Sequence, residues 1–267
     1  MVAAGLAHRT IAERLGTMTR FERDTSTPVL AAERQQLTTW IGAPMDDGRE
    51  VTPGTKSARH YQFSAFFKWA EMVELRTDNP MRRIKAARRP RRHPRPVSNV
   101  GFQRMLATAR ADGDDEMVAM LLLGGFQGYR VHEIAMMHGD HIDYDAATIW
   151  VEGKGGVAVE LPIHTELLEH AAAMPRGCWF PSQRAAHICR QTASERIRLH
   201  MIRCRVKGTP HCLRHFFGTE LVERGVDIRV VQELMRHASL STTALYVAVA
   251  QSRRRAALEL LSSTPAA

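Results

Sequence analysis

In Leu234-Met235-Arg236-His237-Ala238-Ser239-Leu240-Ser241-Thr242-Thr243-Ala244-Leu245-Tyr246 a tyrosine follows a histidine by nine positions. Upstream stand Arg130, Lys154 and the run His211-Cys212-Leu213-Arg214-His215. Attack on a phosphodiester needs a nucleophile, charge neutralisation at the two non-bridging oxygens and a proton for the departing oxygen, and side chains supply all three. A tyrosine with a pKa near 10 is ionised in about one molecule in a thousand at pH 7, a penalty of roughly 4 kcal/mol that nearby cations must offset. Arg130 and Arg214 suit the phosphate clamp, because a guanidinium stays charged and grips two oxygens at once. Lys154 suits the acid role, His211 and His237 suit hydrogen-bond donation or proton transfer, and Tyr246 suits the nucleophile.

Each of these residues also has an ordinary reading. Arg130 pairs with Glu133 if the two share a helix face, Lys154 is an exposed turn residue, and Tyr246 packs beside Leu245 and Val247. His211 and His215, with Cys204 and Cys212 nearby, hint at zinc, but no Cys-x-x-Cys completes a ligand set, so no metal is expected.

The chain has 267 residues and 44% hydrophobic content, enough for a real core in one large or two modest domains. No run of about 18 uncharged apolar residues exists and Met1 to Arg9 does not read as a signal peptide, so a cytoplasmic protein with no membrane partner is expected. The four cysteines are irregularly spaced and read as reduced thiols.

The net charge of +9 is unevenly placed. Residues 1 to 81 hold ten Lys/Arg and ten Asp/Glu, and residues 99 to 267 hold nineteen and eighteen. The excess lies in Arg82, Arg83, Lys85, Arg88, Arg89, Arg91, Arg92 and Arg95, interrupted by Pro90, Pro94 and Pro96, which deny the segment a continuous helix. Residues 82–98 read as a basic linker. They are either a solvated connector or a contact with a polyanion whose phosphates relieve the mutual repulsion, and the second reading is favoured.

Around that linker the elements are mainly helical. Periodicity predicts helices over Ile11 to Phe21, Leu30 to Ile41 and Lys56 to Leu75, with Pro53-Gly54 in the loop before the third. Lys56, Arg59 and Lys68 on that third helix read equally well as a DNA-facing side or a solvated face. Helices are further predicted over Val100 to Ala111, Glu116 to Phe126, Thr165 to Ala173, Ala186 to Val206, Pro210 to Arg224, Asp227 to His237 and Ser241 to Ser262. Thr148 to Val151 and Val157 to Leu161 flank Glu152-Gly153-Lys154-Gly155-Gly156 as a β-hairpin with the lysine near its tip.

Taken together, Gly128-Tyr129-Arg130-Val131-His132-Glu133, His211-Cys212-Leu213-Arg214-His215 and the Thr242-Thr243-Ala244-Leu245-Tyr246 ending resemble, in order and register, the motif boxes of the tyrosine recombinase (phage integrase) family. The resemblance covers residues 99 to about 250, and Asn79-Pro80 resembles the dipeptide that often ends the family's core-binding domain. It implies a mainly α fold with a small β-sheet: a helical core-binding domain at 1–81, the linker at 82–98, and a mixed α/β catalytic domain at 99–267. It further implies that Arg130, Lys154, His211, Arg214 and His237 surround the phosphate, with Glu133 in support, while Tyr246 forms a 3′-phosphotyrosyl link to double-stranded DNA without a cofactor. Four protomers on two duplexes are implied as well. The rival is a catalytically silent relative that binds DNA as an accessory protein. One position departs from the family pattern: Arg236 stands where glycine commonly precedes the active-site histidine, and it either adds a DNA contact or perturbs the helix turn.

Overall fold

Side-chain caps set many of the helix starts. Thr52 accepts from the amide of Thr55 ahead of Pro53, Ser98 from that of Gly101, Asp114 from that of Met117 and Asp227 from that of Arg229, each satisfying an amide that the helix itself leaves without a partner. The computed structural model describes residues 8–88, 95–152 and 158–236. The chain divides into two compact units, Met1–Arg92 and His93–Ala267.

The first unit holds α1 (His8–Thr25), α2 (Arg34–Gly42) and α3 (Pro53–Met72). Its core centres on Phe21, Trp40 and Phe63, whose rings meet edge-on with centroids 5.3 to 5.7 Å apart. Two expectations change here. Pro53-Gly54 is the first turn of α3 rather than loop, because proline at the first helical position lacks only an amide that would have no partner there. The helix expected from Leu30 begins instead at Arg34, after a 3-10 turn over Val29–Ala31, because the Gln36 side chain bonds back to the Glu33 amide and fixes the start.

The second unit contains α4 (Asn99–Ala111), α5 (Asp115–Gly125), α6 (Val131–Ala135), α7 (Thr165–Ala171), α8 (Arg190–Arg203), α9 (His211–Glu223) and α10 (Ile228–Leu234). Every residue of α5 from Met117 to Gly125 is buried, so this apolar helix is the axis around which α4, α7, α8 and α9 pack. Gly125 permits the closest of those approaches, since a Cβ there would lie 2.2 Å from the Phe102 ring, which itself stacks on Phe216 of α9 at 4.6 Å.

An antiparallel sheet orders β1 (Ile142–Asp143), β2 (Thr148–Glu152) and β3 (Ala158–Pro162), with Ile149 opposite Leu161 on the core side and Trp150 opposite Glu160. The two strands expected to form the hairpin pair antiparallel, with β1 as an added strand; the turn between them lies outside the described residues. The helix expected over Ala186 to Val206 is shorter: the Ile188 amide bonds to the Phe180 carbonyl, and the helix begins only at Arg190. No helix among the described residues is long and apolar enough to cross a membrane.

Candidate active site

The site is assembled from three helix ends of the second unit. The chain leaves α5 through Gly128, at φ 65°, where any Cβ would lie 2.5 Å from the Phe217 ring. This left-handed step reverses the backbone so that Arg130 becomes the residue capping α6. Glu133, three positions on, accepts the Arg130 backbone amide at 2.7 Å through Oε2 and the Arg130 guanidinium at 2.8 Å through Oε1. The pairing expected for Arg130 and Glu133 is present.

The second helix end is the start of α9. His211, Arg214 and His215 fall on one face, while Leu213, Phe216 and Phe217 enter the core. Arg214 is 2% exposed and donates to the carbonyls of Gly128 and Met235. Its guanidinium thus ties the bend that precedes Arg130 to the last turn of α10. The His211 and His215 rings meet at 4.4 Å.

The third is the end of α10. Arg236 adopts φ 51°, the left-handed conformation that commonly closes a helix and that glycine accepts most readily. For a residue with a Cβ this costs roughly 1–2 kcal/mol. The Arg236 carbonyl accepts Arg130 Nη2 at 3.3 Å, beside the Met235 carbonyl held by Arg214. Of the two alternatives open for Arg236, a DNA contact or a perturbed helix turn, neither is what its side chain makes among the described residues: it turns inward, is 7% exposed, reaches Glu133 Oε2 at 2.6 Å and lies 4.8 Å above the Tyr129 ring. Its Nε and Nη1, like the Tyr129 hydroxyl, have no hydrogen-bond partner among the described residues.

These contacts shape the charges. Burial alone would raise the Glu133 pKa, but Arg236 and the hydrogen bonds from Arg130 outweigh it and hold the carboxyl below its ordinary value. Partial burial, then Arg214 and Arg130, push His211 down although its surface opens onto the cleft. His215 is driven to about 4 by burial, His211 and Arg214. Tyr129 is pushed up by burial, against the opposing influence of Arg236.

Arg130, His132, Arg190, Thr209 and His211 line an open cleft above this cluster. His132, inside the first motif box, and Arg190, inside the helix expected over Ala186 to Val206, also line the cleft but were not among the expected site residues; Arg190 comes to the cleft because α8 begins there. Lys154, His237 and Tyr246 lie outside the described residues, as does the helix expected over Ser241 to Ser262. Among the described residues no group of three or more His, Cys, Asp or Glu is placed to hold a metal ion.

In the basic stretch Arg82, Arg83, Lys85, Arg88 and Arg95 are exposed, with Arg82 paired to Glu71, while Arg89, Arg91 and Arg92 lie outside the described residues. On α3, Arg59 is not on a DNA-facing side. It is 5% exposed and donates to the Trp40 carbonyl at 2.9 Å and that of Ala43 at 2.8 Å.

Comparison with known proteins identifies the family. The model of the phage integrase family matches residues 101–253. Tyrosine recombinase XerD of Caulobacter vibrioides is 30% identical over 222 residues, spanning 76% of this chain and 73% of that protein. XerD of Pasteurella multocida is 28% identical over 266 residues, 89% of this chain and 88% of its own. Among solved structures, the integrase from mycobacterium phage Brujita is 40% identical, with 100% of this chain and 91% of that one covered at a TM-score of 0.54. A lambda integrase dimer bound to a COC′ core site shares the fold at a TM-score of 0.71, with 17% identity, over 90% of this chain and 92% of that one.

Proposed function

The chain belongs to the phage integrase family and is a tyrosine-type site-specific DNA recombinase, and from this premise we propose how its residues divide the work. The Tyr246 hydroxyl gives its proton to His211, whose pKa burial and the neighbouring arginines lower, and attacks the scissile phosphorus of double-stranded DNA. A 3′-phosphotyrosyl bond forms as the bond to the 5′-oxygen breaks, and Lys154 gives that oxygen its proton. Attack by a 5′-hydroxyl from the partner strand then reverses the step and releases the tyrosine. Arg130 and Arg214 neutralise the non-bridging oxygens, Arg214 from its seat between Gly128 and Met235, while His211 and His237 complete the shell. Glu133 orients Arg130.

The observation that carries this reading is the convergence of three distant motifs. Hydrogen bonds from Arg130 and Arg214 fasten the Gly128–Glu133 segment and the start of α9 to the Met235–Arg236 backbone, one residue before His237. The test uses full-length protein and a nicked duplex carrying a site selected from random-sequence DNA. Wild type becomes covalently attached, whereas Tyr246→Phe binds equally and is not captured. Undiminished capture by Tyr246→Phe overturns the nucleophile assignment.

The remaining assignments follow the same reading. The first helical unit, about residues 1–81, is a core-binding domain, and four protomers act on two duplexes in the cytoplasm. The basic segment 82–98 meets phosphates rather than base edges. Neutralising Arg88, Arg89, Arg91 and Arg92 together should then weaken binding to all sequences alike and reduce the salt slope by about 0.9 per lost phosphate contact. A changed sequence preference at constant slope contradicts it.

A further inference from the structure

We propose that Arg236 is a positioning residue for Arg130, holding it through Glu133 on one side and through its own carbonyl on the other. The proposal rests on the reading above that Arg130 grips the reacting phosphate.

Three observations carry it. First, the Arg236 guanidinium is committed inside the protein: its side chain is 7% exposed, Nη2 binds Glu133 Oε2 at 2.6 Å, and the Tyr129 ring face lies 4.8 Å from the guanidinium carbon. A cation so enclosed offers DNA little surface, yet it adds positive charge beneath the cleft.

Second, the Glu133 carboxylate is shared. Oε1 takes Arg130 Nη1 at 2.8 Å, and Oε2 takes both the Arg130 amide at 2.7 Å and Arg236. With two guanidiniums on one buried carboxylate, Glu133 stays ionised and fixed, and Arg130 is oriented without being its only counter-charge. If Arg236 were removed, the whole cost of burying that carboxylate would fall on Arg130, drawing it away from phosphate. Third, the left-handed turn at φ 51° aims the Arg236 carbonyl at Arg130 Nη2, 3.3 Å away, so backbone and side chain act on the same residue.

The test is single-turnover cleavage of the selected, nicked duplex at saturating full-length protein, with Kd measured in the same salt. Arg236→Gly keeps the left-handed turn and removes the guanidinium. It should lower the cleavage rate about 10- to 100-fold while Kd stays within about twofold, the scale of losses seen when residues supporting a reactive group are removed. Arg236→Lys, which keeps a cation but not the planar fork, should recover part of the rate. If Arg236 works through Glu133, the Glu133→Gln/Arg236→Gly double variant should cleave no more slowly than the slower single variant.

A wild-type rate in Arg236→Gly, multiplicative losses in the double variant, or a loss confined to Kd overturns the proposal, the last by making Arg236 a DNA contact. Should Arg236→Gly melt below the assay temperature, Arg236→Lys alone decides, with an unchanged rate overturning the idea. Absence of covalent capture by wild type would instead overturn the recombinase assignments on which the proposal depends.

Discussion

Arg59 and Arg214 are both buried arginines that donate to backbone carbonyls at helix ends, yet their surroundings differ. Arg59 lies 4.4 Å from the Trp40 ring and closes the end of α2, where burial and then Arg20 lower its pKa against the weaker influence of Asp24 and Asp46. Arg214 instead donates to the Gly128 and Met235 carbonyls beside the Arg130–Glu133–Arg236 cluster, in which two guanidiniums share one carboxylate. Burial with satisfied carbonyls is therefore a structural device that either unit uses. What sets the second apart is that its buried arginine is tied to the backbone around Arg130, which faces the open cleft.

The largest expected effect separates the two directly. Arg214→Gln or Arg130→Gln should slow cleavage by roughly 10²–10³, about 2.7–4 kcal/mol of transition-state stabilisation, whereas Arg59→Met should leave the rate per folded molecule unchanged. Equal losses in single-turnover assays would erase the distinction. Next, Arg59→Met should destabilise the first unit by about 2–3 kcal/mol, because the carbonyls of Trp40 and Ala43 lose their donor, and denaturant melts followed by tryptophan fluorescence would register it.

A smaller loss, about 1–3 kcal/mol, is expected from Gly128→Ala, since the added Cβ meets Phe217 in a left-handed backbone, and the same melts measure it in the second unit. The last effect concerns pH. His215 titrates near 4 when folded and near 6.5 when unfolded, so the unfolded chain binds more protons between those values. Stability present above pH 6.5 should decline as pH falls toward 4, and His215→Gln should flatten that decline in thermal melts taken across the range.

Much of this cluster was legible because its residues occupy helix ends, where short-range rules are strongest. Gly128 marks a reversal, and His211 and Arg214 begin an apolar-backed helix. The strands of the hairpin alternated as expected, but β1 is two residues long and α6 five, too short for any period to register. Ala186 to Cys189 looked helical by propensity and were not, because Ile188 is pinned to Phe180 across the chain. The inward turns of Arg59 and Arg236 were illegible for a related reason. A lone arginine in a helical pattern reads as surface, and what buries each one is a partner remote in sequence: the α2 carbonyls for Arg59, and Glu133, 103 positions away, for Arg236.

The tyrosine next to Arg130 bears on the fidelity of strand exchange. Tyr129 is 2% exposed, burial raises its pKa, and its ring face is occupied by Arg236. On the roles proposed for Arg130 and Tyr246, a second phenol there would be a hazard if it could ionise, because a misplaced adduct would strand a broken end of DNA. Keeping this hydroxyl protonated and walled off leaves the cleft without a competing attacker on that side, so peptide mapping of captured protein should find DNA on Tyr246 and none on Tyr129.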